Sequence, residues 1–425
     1  MEENQNPEED NQEILQSLDE SGQKEELVEM FEELPTPDVV EFLEDKPLEE
    51  IVAHLNSLED EDRGRIFSDF SLDLQLKLCR TLERRMIAQI FKHMYSDIRA
   101  DLYQQLDKDE QIGFLPYLDK KTREDVIILS AYPRETAGGI MNTDFATVFE
   151  GMTVAQAMAK IRHDAPSKDM VIYIYVIDDA MVMKGLVTLK DLVLADPNTK
   201  VADLIDEFFV HAEVNEDRES VAQKIEKYDL AAIPVLNSLS QLVGVVGHDD
   251  AITVIRAEQT EDLEKLAGVM PSEVDEDYMQ TSSLNHFKKR VVWLVGLAAM
   301  GIISGMIINE YQTVLEKFII LAMYMPMMAS TGGNTGTQAA TVIIRALSLG
   351  HVSDKQWLKI VFKEIRISTM LSVCVALLTY FKIVFLSFHG LLPEGFTMSF
   401  VGLTISFAIA VQVISSAVIG AGLPL

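Results

Sequence analysis

Residues 324–350, YMPMMASTGGNTGTQAATVIIRALSLG, decide how this chain is read. They are long enough for a membrane helix, yet they carry a proline, four glycines, an asparagine, a glutamine and several hydroxyls. In hydrocarbon every backbone polar group needs a partner, so broken, polar helix is tolerated only where it faces protein or water. Pro326 removes a backbone donor, and Gly332, Gly333 and Gly336 let another backbone or an ion come close. Asn334, Thr335, Thr337 and Gln338 add neutral oxygens, the ligand type hard cations prefer. Small residues also let membrane helices pack tightly. The density of polar groups after the proline favours pore lining over packing alone.

Charge divides the chain around this stretch. The 425 residues carry a formal charge of −31, very unevenly placed. From Ser283 onward there are ten Lys or Arg and five Asp or Glu, which leaves 26 basic and 62 acidic groups before it. An acidic soluble half is therefore joined to an apolar, mildly basic half. The acidic half excludes nucleic acid as a partner, because phosphate binding needs the opposite sign, and it repels itself unless cations screen it. The two cysteines, Cys79 and Cys374, provide neither a disulfide framework nor metal-thiolate spacing, which suits a reducing cytosol. The acidic, polar N-terminus is not a secretory signal.

Four membrane segments are expected, at 291–309, 318–344, 367–386 and 397–420, each able to cross about 30 Å of hydrocarbon. Lys288, Lys289 and Arg290 precede the first, and Arg345, Lys355, Lys359, Lys363 and Arg366 fill the loop between the second and third. The loops at 310–317 and 387–395 are poor in basic residues. Basic loops stay inside, so the N-terminal half, the 345–366 loop and the C-terminus are expected on the cytoplasmic side of the cell membrane.

The soluble half contains a repeat. Residues 173–197 match residues 231–255, with Val176 against Val235, Gly185 against Gly244 and Asp191 against Asp250, a period of 59. Strand, turn, strand and helix occur twice. The run Gly185-Leu-Val-Thr-Leu-Lys-Asp191 resembles the strand-to-helix signature of CBS modules. That resemblance implies that Thr188 and Asp191 can hold a nucleotide such as ATP by its phosphate and ribose. Equally, Thr188 caps the helix that follows it. Gly247 stands where the second copy would need a hydroxyl. Before the repeat, 73–82, 86–94, 98–106 and 110–118 are short amphipathic segments between polar turns, which predicts a stack of short helices like a small solenoid.

The expected fold class is multidomain. It comprises a disordered acidic tail (1–20), a superhelical all-α N domain (21–131) and an α/β tandem CBS pair (132–197 and 198–256). A connecting helix (257–285) and an all-α membrane domain (286–425) follow. This order resembles the MgtE family of magnesium channels or transporters over nearly the whole chain, with YPRETAGGIM at 132–141 and GGNTGTQAATVIIRAL at 332–347 as its most specific motifs. The resemblance implies a homodimer in the lipid bilayer with a pore on its two-fold axis and Mg2+ as the transported and regulatory ion. It places the pore site at Gly333, Asn334 and Thr337. It places regulatory magnesium at Asp217, Glu219, Asp229, Asp250, Glu258, Glu261 and Asp262, although Thr253 and Glu226 depart from the family pattern. It further implies an acidic residue on a fifth membrane helix. The chain stops at Leu425, after the fourth, so it is expected to be a fragment that would not conduct normally.

The residues support part of this directly. Glu258, Glu261 and Asp262 share one helical face, and like charges held that close need a counter-ion. Glu364 beside Arg366 reads as a structural ion pair. A channel for cobalt or calcium and a membrane-anchored nucleotide sensor are the competing readings. An enzyme is not expected: no nucleophile–base set and no phosphate-cradling loop occurs, and the eight histidines are scattered.

Overall fold

A computed structural model describes residues 7–164, 170–271, 278, 281–352, 354–386, 392 and 395–424. The chain divides into two compact units, residues 1–258 and 259–425. The first unit opens with α1 (Pro7–Ser21) and α2 (Lys24–Glu33). The disordered tail expected over 1–20 is therefore corrected from residue 7 onward. Leu15 is fully buried and Leu18 packs beside it, so the acidic segment has an apolar stripe to dock. Residues 1–6 lie outside the described residues.

The helices that follow keep a strict interval. These are α3 (Thr36–Glu44), α4 (Leu48–Ser57), α5 (Asp60–Asp69), α6 (Leu72–Thr81), α7 (Arg84–His93), α8 (Ser96–Gln105), α9 (Lys108–Phe114) and α10 (Lys120–Leu129). Each starts twelve residues after the one before. Leu58, Phe70, Leu82, Met94, Leu106 and Leu118 recur at the same interval in extended backbone between helices, and all six are buried. One apolar residue per turn thus pins each linker to the core.

A second repeated device closes the helix ends. The fourth residue of a helix reaches back to a carbonyl of the preceding helix. Arg63 Nε donates to the Leu55 carbonyl at 2.6 Å and Gln75 Nε2 to Phe67 at 2.9 Å. Arg99 Nη1 donates to Phe91 and Gln111 Nε2 to Tyr103, both at 2.8 Å. The last carbonyls of a helix lack partners within it, so a buried donor there meets an obligatory need. The expected solenoid is present, with its period now defined.

After α11 (Ala137–Ile140), the 59-residue repeat folds as two three-stranded sheets. β1 (Phe145–Phe149) runs parallel to β2 (Met170–Ile177), with α12 (Val154–Asp164) between them, and β2 pairs antiparallel with β3 (Met183–Thr188). After α13 (Leu189–Leu194) the pattern returns as β4 (Ala212–Glu213), α14 (Arg218–Tyr228), β5 (Ala232–Leu236) and β6 (Leu242–Gly247). Val176 pairs with Gly185 and Val235 with Gly244, and each register shifts after that valine. A shared core of Tyr175, Ile177, Met183, Leu236, Leu242 and Val245 joins the two copies.

α15 (His248–Ala267) leaves the second copy without a break, so the connecting helix begins nine residues before the expected boundary at 257. Residues 272–277 and 279–280 of the expected connecting segment lie outside the described residues.

The second unit contains α16 (Ser283–Glu310), α17 (Gln312–Lys317), α18 (Ile319–Ser348), α19 (Trp357–Leu386) and α20 (Met398–Gly422). Among the described residues, three helices are long and apolar enough to cross a membrane: α16, α19 and α20. α18 is as long as α19, but its Ser-Thr-Gly-Gly-Asn-Thr-Gly centre lowers its hydropathy. α18, α19 and α20 pack around Ile320, Tyr324, Ile383, Ile405, Ile409 and Val413, whereas no residue of α16 is buried.

Candidate functional site

The two faces of α18 are opposite in character. Gly332, Ala339 and Ile343 are buried, whereas Ser330, Gly333, Asn334, Thr337, Gln338 and Thr341 are exposed. At 100° per residue these six residues form one polar stripe along the helix. The opposite face is fixed by close approach to α20. A Cβ on Gly420 would overlap the Gly336 carbonyl, and one on Gly332 would stand 2.6 Å from Gln412 Nε2. Only glycine permits that approach, and it turns Gly333, Asn334 and Thr337 outward.

Local hydrogen bonds prepare this stripe as a set of acceptors. Asn334 Nδ2 donates to the Ser330 carbonyl at 2.9 Å, which leaves its amide oxygen to accept. Thr335 and Thr341 return their hydroxyls to the carbonyls of Thr331 and Thr337 at 2.8 and 2.9 Å. Nothing lies within 4 Å of where a Gly333 Cβ would stand. The structure thus brings the three expected pore residues onto one open face. Neutral oxygens on such a face suit a hydrated magnesium ion, which dehydrates reluctantly and is held through its waters.

The expected regulatory acids are dispersed, and several are already engaged. Asp217 caps α14, accepting from the backbone N–H of Glu219 at 2.9 Å and of Ser220 at 3.3 Å. Gln223 donates to Glu219 at 3.1 Å. Asp229 ends α14 in left-handed backbone, φ 52°. Glu258 pairs with Arg218 at 2.9 Å, and Arg218 also holds Glu135 at 2.8 Å. Glu261 pairs with Lys265, and Asp262 accepts from the Ser348 hydroxyl at the end of α18. Among the described residues, no group of three or more His, Cys, Asp or Glu is arranged to hold a metal. Glu364, expected to pair with Arg366, has no ion pair among the described residues.

One acidic contact was not legible beforehand. Asp97 lies in the first turn of α8, and the charge of Asp250, in the first turn of α15, acts on it. Burial first, and then Asp250, push the Asp97 carboxyl well above its usual range. Burial and then Asp249 push Asp250 up. In sequence Asp97 resembles Glu49, Glu61, Asp73 and Asp109, the acids that complement other helix N-termini at the same repeat position. Nearby, Ser96 donates to Asn142 Oδ1 at 3.1 Å, and Asn142 exchanges backbone bonds with Val245 of β6. Both carboxyls are groups whose ionisation the fold resists, and positive charge brought near them would favour it.

Thr188 and Asp191 form a reciprocal capping box on α13: the Asp191 N–H donates to Thr188 Oγ1 at 3.1 Å, and Thr188 Oγ1 to Asp191 Oδ2 at 2.5 Å. The capping role proposed for Thr188 is thus present.

Comparison with known proteins extends this picture. Residues 325–425 match the MgtE family model, described as a divalent cation transporter, residues 34–135 match the MgtE intracellular N domain, and residues 137–198 match the CBS domain. The magnesium transporter MgtE of Thermus thermophilus is 36% identical over 301 residues, 70% of this chain and 66% of that protein. MgtE of Bacillus subtilis is 30% identical over 332 residues, 78% of this chain and 73% of that protein. The chain thus spans about two-thirds of the length of the Thermus protein. Among solved structures, the cytosolic domain of the Mg2+ channel MgtE in complex with ATP is 30% identical with TM-score 0.54, covering 56% of this chain and 98% of that one. The soluble part of a magnesium transporter gives TM-score 0.56 at 28% identity, covering 59% and 99%.

Proposed function

This chain belongs to the MgtE family, and on that premise we propose that it imports Mg2+ across the cytoplasmic membrane and is shut by cytosolic Mg2+. The observation that carries the transport reading is the open polar stripe of α18, set opposite its glycine seam. A polar face is costly against lipid, so it requires water or a second protein surface. Two copies in a homodimer would turn two such stripes toward one axis, with carbonyls, Asn334 and Thr337 around a hydrated ion. A membrane-anchored sensor has no use for that stripe. Uptake of Mg2+ by proteoliposomes containing the full-length protein is the test. Failure to move Mg2+, with the protein inserted and folded, would sink it.

For regulation, the chain's own residues supply a two-state device. Without Mg2+, Asp97 and Asp250 repel, and the remaining acids add to the strain. Mg2+ bound by this pair lets α8 and α15 stay close. Asp262, on α15, grips Ser348 at the cytoplasmic end of α18, which gives α15 a hold on the pore helix. The loaded state is the closed one.

ATP at the CBS pair is a second proposal, motivated by the ATP-bound relative. Thr188 and Asp191 would exchange their mutual bond for phosphate and ribose. An ATP titration unchanged by Thr188→Ala and Asp191→Ala would place the nucleotide elsewhere.

A further inference from the structure

α20 contains no charged residue and a single carboxamide, Gln412. Gln412 Nε2 donates across the helix interface to the carbonyl of Met328 on α18 at 2.9 Å. Ser416 and Gly420 continue the same face of α20 at intervals of four, against Gly332 and Gly336. The rest of this seam is glycine against Ser416 and backbone, which permits close approach without being directional. The Gln412–Met328 bond is directional, and it lies two residues after Pro326, where the helix has lost a backbone donor. It therefore ties α18 to α20 within one turn of the interruption in the helix's own hydrogen-bond ladder.

We propose that Gln412 is a positioning residue for ion selection: by tying the Met328 carbonyl to α20, it sets the rotation of α18 that presents Gly333, Asn334 and Thr337 to the ion. Gln412 is on the far side of α18 from that stripe, so it acts through the helix. This inference rests on the transport reading above.

The test compares Gln412→Leu with the unaltered full-length protein in proteoliposomes, measuring Mg2+ and Ca2+ uptake on the same preparation. A purely structural role would lower the number of working molecules and reduce both fluxes in proportion. A positioning role changes their ratio, by roughly three- to tenfold for the loss of one hydrogen bond. An unchanged ratio overturns the proposal, whatever the absolute flux. A second readout does not need transport. In a background with Cys79 and Cys374 replaced by Ser, Asn334→Cys should lose reactivity toward a water-soluble thiol reagent when Gln412→Leu is added, while Ala339→Cys gains it. Equal labelling with and without Gln412→Leu also overturns the proposal. If the unaltered protein moves no divalent ion, the transport reading fails, and labelling still decides whether Gln412 orients α18. Should the leucine variant not fold, Gln412→Met, unbranched and lacking the donor, replaces it in both measurements.

Discussion

Asn334 and Thr337 combine exposure with a local hydrogen-bond pattern that leaves acceptors available, so their loss should harm transport and spare the fold. Asn334→Ala and Thr337→Ala are each expected to reduce Mg2+ uptake at least about tenfold, the equivalent of about 1.4 kcal/mol. Thermal unfolding in detergent should be unchanged, because neither side chain packs in a core. Asp97 and Asp250 make the opposite case, two groups whose ionisation the fold resists. Their folded-state proton affinities are raised, so the stability they contribute is present at acid pH and lost as pH rises above the ordinary carboxylate range. Without Mg2+ the soluble half should therefore melt lower at pH 8 than at pH 5, and Mg2+ should restore it at pH 8. Asp97→Asn should flatten both dependences, and a full Mg2+ response in that variant would remove Asp97 from the regulatory site.

Helix by helix, the sequence was legible wherever one periodicity acted alone. The 59-residue repeat could be read because Val176, Gly185, Val235 and Gly244 occupy strands whose pairing demands those residue types. The amphipathic segments of the N domain were legible as helices, but their twelve-residue interval was not. Its markers are a lone apolar linker residue and a single long polar residue, which changes between Arg and Gln. Asp97 was hidden because it looks like any acid in a first helical turn. The tail was misread because its acidic composition outweighed three apolar residues, Ile14, Leu15 and Leu18. The buried back-capping donors predict a specific cost. Gln75→Leu strands the Phe67 carbonyl and should destabilise the soluble half by about 1–3 kcal/mol. Chemical denaturation measures it, and an unaltered midpoint would show that water replaces the amide. In the second unit, Gly420→Leu would drive a side chain into the Gly336 backbone, and misassembly on gel filtration is the expected outcome.

Across the whole molecule, charge separates an acidic half from an apolar, mildly basic half. Nearly all the acid lies before Ser283, and the polar stripe lies in the apolar half after it. α15 carries both Asp250, in its first turn, whose charge acts on Asp97, and Asp262, near its end, which accepts from the Ser348 hydroxyl. The polar face of α18 could be read from sequence because Gly, Asn and Thr are so costly in a membrane helix. The dispersal of the acids expected to hold regulatory magnesium could not, because the ion pairs of Glu258 with Arg218 and Glu261 with Lys265 depend on the fold. The most direct test is Mg2+ uptake by proteoliposomes of the full-length protein as Mg2+ on the cytosolic face is raised through the millimolar range. The account predicts uptake that falls as this Mg2+ rises, and that keeps flowing when Asp97 and Asp250 are both changed to Asn. Uptake indifferent to cytosolic-face Mg2+ in the unaltered protein would contradict it.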